Sequence, residues 1–87
     1  MQGTISAWGK RAATIKIENG QQFYAPYAEL SLMVICDLLK DNTPLEVTFI
    51  VDETRESGQT FTIISGQINS LPRYYALCVE LKNIIIL

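Results

Sequence analysis

The chain contains no histidine, and it has only two cysteines among its 87 residues. Without histidine, a general base would have to come from scattered carboxylates. There is also no cysteine pair at metal-ligand spacing, no glycine-rich phosphate loop and no nucleophile elbow. We therefore predict that the protein is not an enzyme and that it uses no metal and no cofactor. Because Cys36 and Cys78 both have apolar neighbours, they are expected to be core thiols rather than a disulfide or metal pair.

Neither basic nor acidic residues are in large excess. Seven basic and nine acidic residues give a net charge of −2, which lacks the basic field that most duplex-DNA binders use. The longest apolar run, Ile84 to Leu87, is too short to span a bilayer. Met1 is followed by no charged-then-apolar leader, so a cytoplasmic location without membrane contact is expected. A hydrophobic content of 48% argues against disorder and for one small folded domain.

Three strands are predicted in the first third of the chain. Residues 2–8 and 13–18 alternate between apolar and polar side chains, as strands with one buried face do. Asn19-Gly20 follows, and both residues tolerate positive φ, which suits a two-residue type I′ turn. Residues 22–25 form the returning strand, so the three strands make a meander. The residues expected to face the core are Ala13, Ile15, Ile17, Phe23 and Ala25.

After the third strand, the spacing of apolar residues changes from that of a strand to that of a helix, which predicts a short, well-buried helix from Ala28 to Lys40. Two sets of apolar residues recur there at helical spacing. The positions of Glu29 and Lys40 suit the two ends of a helix dipole. The β-branched pair Val34-Ile35 keeps a buried strand from Leu30 to Cys36 open as the alternative. The two sets are Leu30, Val34 and Leu38, and Leu32, Ile35 and Leu39.

Two further strands complete the first part of the chain. Residues 45–52 alternate strictly, residues 52–58 are a polar segment that predicts a mobile loop, and residues 59–68 predict a fifth strand with a bulge or bend at Gly66. Three strands, a helix and two strands are the order of an OB-fold. The predicted fold class is therefore mainly β, a five-stranded OB-fold-like barrel with a helix between strands three and four.

The remaining residues predict an addition to that barrel. Ser70 suits an N-cap, and an apolar stripe indicates a helix that ends near Asn83. The domain division is then a barrel over 1–69 and a helical or hydrophobic extension over 70–87. Such an apolar end is expected to pack on the barrel or against a second subunit, so a homodimer is possible. The stripe consists of Tyr74, Leu77, Cys78 and Leu81.

Several segments resemble the bacterial cold-shock domain. Gly3-Thr4-Ile5 followed by Trp8 is similar to that family's opening strand, and Lys10 to Ile15 lies where the family has its first ribonucleoprotein motif. Phe23 to Tyr27 resembles the second motif, and Pro44 to Val51 resembles the following strand. The resemblance covers roughly residues 1–68. Arg11 to Thr14 replace the Gly-Phe-Gly-Phe centre of the first motif, so two stacking phenylalanines are missing.

The resemblance implies an OB-fold that binds single-stranded RNA or DNA by base stacking. The expected stacking residues are Trp8, Tyr24 and Tyr27. Side chains alternate between the two faces of a strand, and this alternation predicts that Trp8 and Tyr24 point outward. The expected phosphate contacts are Lys10, Arg11 and Lys16. Alternatively, the tyrosines cover the helix or the tail, and the cations are only a solvated strand end. The second hypothesis for function is a protein-interaction module that has lost nucleic-acid binding.

Overall fold

The structure, a computed structural model, describes residues 1–82. The predicted apolar terminus from Ile84 to Leu87 lies outside the described residues. A 3-10 turn, Tyr27–Glu29, precedes the helix. The elements are β1 Gln2–Trp8, β2 Ala12–Lys16, β3 Gln22–Pro26, α1 Leu32–Leu39, β4 Leu45–Ile64 and β5 Gln67–Leu81.

The five strands form one sheet that closes into a ring. Their order around the ring is β1-β2-β3-β5-β4, and β4 pairs with β1 to complete it. Neighbours pair antiparallel except β3 and β5, which run parallel and meet at Tyr24 and Tyr75. The helix α1 lies in the chain between β3 and β4. The predicted mainly-β class and the helix position are thus confirmed, and the alternative strand from Leu30 to Cys36 is wrong.

The core fills the inside of this ring. Side chains that alternate along β2 and β3 point inward, as the period of two predicts, and Ile17 packs against the edge of the core. Phe23 and Phe49 meet across the interior with their ring centroids 5.1 Å apart. The largest fully buried side chains are Phe23, Ile5, Ile15, Val34, Val47 and Val79.

Only one side of α1 is buried. Ser31 caps the helix by accepting a hydrogen bond from the Val34 amide. Val34 and Leu38 are buried against the ring, whereas Leu32 and Leu39 of the second predicted stripe are exposed. The prediction of a well-buried helix is therefore wrong for Leu32 and Leu39, while Ile35 of the same stripe is partly buried against the core. Among residues 1–82, no helix has the length and apolar content needed to cross a membrane.

The turn between β2 and β3 lies where the sequence predicts it but has a different geometry. Gly20 has a φ of 92°, while Asn19 is not among the residues with positive φ. The Ile17 amide donates to the Gln21 carbonyl, so three residues form the connection instead of two. The Asn19 side chain accepts from the Gln21 amide at 2.8 Å, which allows asparagine to stabilise the turn without positive φ.

The largest differences from the sequence predictions lie in β4 and β5. The predicted loop over 52–58 and the predicted strand over 59–68 are parts of one long hairpin, which turns at Ser65-Gly66. Both turn residues have positive φ, 52° and 77°, as a type I′ hairpin turn requires. The helix predicted from Ser70 to Asn83 is also wrong, because β5 occupies residues 67–81.

A bulge in β5 accounts for the position of Cys78. The pairing with β4 shifts between Thr48 and Ile50, and Cys78 has a φ of 50°. A bulge turns one residue out of the alternation of the strand, and the Cys78 side chain is exposed as a result. Its amide donates to the Glu29 carboxylate at 3.2 Å. Cys36, on the open side of α1, is exposed as well, so the prediction of two core thiols is wrong.

Candidate nucleic-acid interface

The six residues predicted to bind nucleic acid do not form one surface. Lys16 and Tyr24 share the outer face of the sheet. In the β2–β3 pairing, Lys16 lies opposite Gln22 and Tyr24 lies opposite Thr14, and these pairs alternate with pairs of buried residues. Trp8, Lys10 and Tyr27 lie together at the end of the ring near α1. Arg11 is exposed in the β1–β2 turn, where its carbonyl accepts from the Tyr27 amide at 3.4 Å.

A bulge in β1 separates Trp8 from Tyr24. The register shifts between Ile5, which pairs with the buried Ile15, and Ala7, which pairs with Thr14. Trp8 then pairs with Ala13, a buried residue. Directly paired residues point to the same side of a sheet, so Trp8 turns toward the inner side at the mouth of the ring. The prediction that Trp8 and Tyr24 face outward together is therefore wrong for Trp8.

Trp8 lines an apolar pocket between the β1–β2 turn and α1. The pocket has a volume of about 300 Å³. The Tyr27 hydroxyl donates to the Gly9 carbonyl, and the Tyr27 ring packs against the core. Trp8 remains 45% exposed at the rim. The alternative in which a tyrosine covers the helix thus describes Tyr27. The lining residues are Trp8, Gly9, Lys10, Tyr27, Ile35, Leu38 and Leu39.

Tyr24 belongs to a different aromatic cluster, which we call the platform and which consists of Tyr24, Tyr75, Arg55 and Arg73. The two tyrosine rings lie 5.0 Å apart at an interplanar angle of 55°. The Arg55 guanidinium lies 4.0 Å from the centroid of the Tyr75 ring, and that of Arg73 lies 5.8 Å from the Tyr24 centroid. Both distances are within the range of a cation–π contact.

Irregular pairing between β4 and β5 places Arg55 in the platform. Asp52 pairs with Tyr75, and Glu56 pairs with the adjacent Tyr74. Three residues of β4, 53–55, therefore lie between two pairs that are consecutive in β5. Asp52 accepts hydrogen bonds from the Thr54 amide and hydroxyl at 3.0 and 2.5 Å. These bonds, helped by the positive charge of Arg55, lower the pKa of Asp52 below its usual value. Arg55 follows Thr54 directly, and its guanidinium lies over the Tyr75 ring of β5.

Arg73 is positioned from the same irregular segment. Its Nε donates to the Ser57 carbonyl at 2.5 Å, and its Nη2 contacts the Ser57 hydroxyl at 3.5 Å. Both partners are uncharged, so the positive charge of Arg73 is not neutralised by these contacts. The balance of charge around Arg55 is different, because the same segment also contains three acidic residues, Asp52, Glu53 and Glu56. The platform therefore combines two tyrosine rings in tilted contact with two cations in a mildly acidic surrounding.

Sequence reasoning missed three of the four platform residues. Arg55 lies in the segment predicted as a loop, and Arg73 and Tyr75 lie in the segment predicted as a helix. One signal could have located them. Ser65-Gly66 is a turn dipeptide between two runs rich in β-branched and apolar residues, which is typical of a hairpin. A hairpin there makes residues after Gln67 a returning strand and brings Tyr75 to the sheet.

The platform can stack planar groups and contact anions, but it has no side-chain arrangement typical of acid–base or nucleophilic chemistry. Within residues 1–82, no group of three His, Cys, Asp or Glu side chains is close enough to hold a metal ion. Comparisons of the chain with protein-family models, with curated proteins and with solved structures found no match.

Proposed function

We propose that the protein is a non-catalytic binder of single-stranded nucleic acid, built on an OB-fold. Three features of the ring support this fold: the strand order, the parallel contact of β3 with β5, and a helix between β3 and β4. OB-folds bind oligonucleotides on the face of strands two and three and on the loops beside it. The cold-shock resemblance of the first 68 residues points the same way, and we infer a cytoplasmic location from it.

The observation that carries the proposal is the platform on the outer face of β3 and β5. Tyrosine rings stack on unpaired bases whatever the base, since every base has a π-face, and each stacked base contributes about 1–3 kcal/mol. Guanidinium groups beside the rings contact phosphates or stack on bases themselves. Lys16 extends the same face onto β2. The ligand would thus lie across β2, β3 and β5.

The number of cations sets the expected strength and salt dependence. Arg55, Arg73 and Lys16 are at most three phosphate contacts, so the logarithm of affinity should fall with the logarithm of salt concentration with a slope of about −2 or shallower. Two stacking rings and a nearby acidic segment favour dissociation constants in the micromolar range or weaker. Little base preference is expected, because stacking does not read base edges.

Fluorescence anisotropy of a labelled pyrimidine dodecanucleotide at low salt tests this proposal. Tyr75→Ala should weaken binding roughly tenfold, and Tyr75→Phe should retain it, because the ring stacks and the hydroxyl does not. Trp8→Ala is the matched aromatic control, because Trp8 lies away from the platform, and it should leave affinity unchanged. Thermal melting of each variant checks that the fold is retained.

Two results would overturn the proposal. The first is an absence of binding by the unchanged protein at millimolar nucleotide in low salt. The second is equal loss of binding in Trp8→Ala and Tyr75→Ala. Only Tyr75 belongs to the platform, so equal losses would mean that the platform is not the binding site.

A second candidate function, a protein-interaction module, is favoured by the open side of α1. Leu32, Met33 and Leu39 are exposed there, and Leu39 borders the apolar pocket that contains Trp8. Exposed apolar surface of this kind often marks a binding site for another protein. Leu39→Ser should abolish binding of such a protein and leave oligonucleotide binding intact, whereas Tyr75→Ala should do the reverse.

A further inference from the structure

The β4–β5 hairpin extends beyond the ring as an arm, which we define as residues 60–71. Its strands pair with each other in continuous register from Thr60 and Leu71 to the Ser65-Gly66 turn. The arm helps make the molecule elongated, with principal extents of 44 × 24 × 21 Å. One face of the arm lies against the ring, and the other face is open.

One face of the arm is attached to the ring. The Thr60 hydroxyl accepts from the Gln22 amide at 3.3 Å, and the Gln21 side chain donates to the Pro72 carbonyl at 2.8 Å. Gly20 lies so close to Thr62 that a Cβ on it would stand 3.0 Å from the threonine Cγ2. These contacts hold the arm in place, so its other face cannot turn onto the ring.

That other face is apolar and open. Ile63 and Ile68 are a directly opposed pair, and Phe61 lies two residues before Ile63 on the same side. The exposed fractions are 70% for Phe61, 76% for Ile63 and 74% for Ile68. Three large apolar side chains at this exposure, contiguous on a two-stranded sheet, form a surface that proteins ordinarily cover.

The chemistry of the arm limits what can cover it. No acidic or basic residue occurs from Gln59 to Pro72, so the arm supplies no cation for a phosphate and no partner for a charged peptide. An uncharged surface can, however, meet its own copy without repulsion. A two-fold interface needs a self-complementary patch, and two such flat ribbon faces can pack as two layers about 10 Å apart.

We propose that the apolar face of the arm, Phe61, Ile63 and Ile68, binds the same face of a second copy of the chain. The three side chains offer on the order of 400 Å² per copy, given the 150–250 Å² that a buried aromatic side chain covers. A standard stable interface buries about 800 Å² per partner. An interface of about half that size favours a weak, reversible dimer rather than a permanent one.

Sedimentation velocity of the full chain between about 5 µM and 1 mM tests the dimer. The unchanged protein should shift from monomer to dimer across this range. Ile63→Lys, which introduces a charge at the centre of the face in both copies, should raise the dissociation constant at least roughly tenfold. Leu39→Lys is the matched control, because Leu39 is similarly exposed, 74%, but lies on α1; it should dimerise like the unchanged protein.

Isotope-filtered NMR on a mixture of labelled and unlabelled chains provides the second measurement. Contacts between the Phe61 ring of one copy and the Ile63 or Ile68 methyl groups of the other should appear, and they do not depend on a variant that must fold. A chain that remains monomeric at 1 mM overturns the proposal. So does a dimer that survives Ile63→Lys and is lost in Leu39→Lys, since the interface would then be the open side of α1.

Discussion

Phe23 shows most clearly what a single residue contributes to the ring. It is 1% exposed and packs on Phe49 in the interior. Phe23→Ala should lower the free energy of unfolding by about 3–5 kcal/mol, because it removes core contacts and leaves a cavity. Phe61→Ala is the matched control. As Phe61 is largely exposed, its loss should change stability by less than about 0.5 kcal/mol.

Chemical denaturation at a few micromolar, a concentration too low for the proposed weak dimer, measures both variants. Equal losses of stability in the two variants would contradict the assignment of Phe23 to the core.

Two threonines of β4 differ in how their hydroxyls are paired. Thr60 accepts from the Gln22 amide, whereas the buried Thr62 hydroxyl has no hydrogen-bond partner in the structure. Thr60→Val should cost about 1–3 kcal/mol because the Gln22 amide loses its acceptor. Thr62→Val should instead be neutral or stabilising by up to about 1 kcal/mol, because an unpaired hydroxyl is replaced by a methyl group. The denaturation midpoint should therefore fall for Thr60→Val and stay unchanged or rise for Thr62→Val; an equal fall in both variants would contradict this explanation.

At the scale of the element, the close approach of β1 to β2 depends on Gly3. A Cβ on Gly3 would stand 2.6 Å from the Ile15 Cγ2 and 3.0 Å from the Lys16 carbonyl oxygen. Gly3→Ala should therefore destabilise the protein by about 1–3 kcal/mol through overpacking. Gly9→Ala is the control, because nothing lies within 4 Å of its Cβ position. Thermal melting should show a clear decrease only for Gly3→Ala, and a similar decrease in both would argue against the steric explanation.

Bulges decided which elements could be predicted from the sequence. The first three strands and the position of α1 follow from alternation and helical spacing, and the structure confirms them. In β5, however, Ala76 and Val79 are both buried although they lie three positions apart in the sequence, because Cys78 is bulged out. A bulge therefore gives the buried residues of a strand a spacing that is typical of a helix. Nothing in the local sequence marks Cys78 as the residue that bulges.

The same effect limited the prediction of the candidate site. Alternation placed Tyr24 and Lys16 on the outer face correctly, but the bulge after Ile5 turned Trp8 to the other side of the sheet. Tyr75, Arg55 and Arg73 come from segments distant from Tyr24 in the sequence. Their meeting depends on the parallel contact of β3 with β5. Local patterns do not predict such a long-range contact, whereas recognising the hairpin at Ser65-Gly66 makes it foreseeable.

At the scale of the whole molecule, the closed sheet presents three surfaces with different chemistry. The platform carries aromatic rings and cations on the outer face of β3 and β5, the open side of α1 is apolar, and the arm is apolar and uncharged. In the platform, two guanidinium groups lie against the aromatic rings themselves. This separation makes the proposed activities independent, so a variant in one surface should leave the other two unaffected.

The most direct test of nucleic-acid binding at the platform is an NMR titration of the labelled chain with a pyrimidine octanucleotide at low salt. Our account predicts shifts at the Tyr24 and Tyr75 amides and at the Arg55 and Arg73 Nε–H groups, with the Trp8 indole N–H unchanged. An absence of shifts at millimolar nucleotide, or shifts confined to Trp8 and α1, would contradict it.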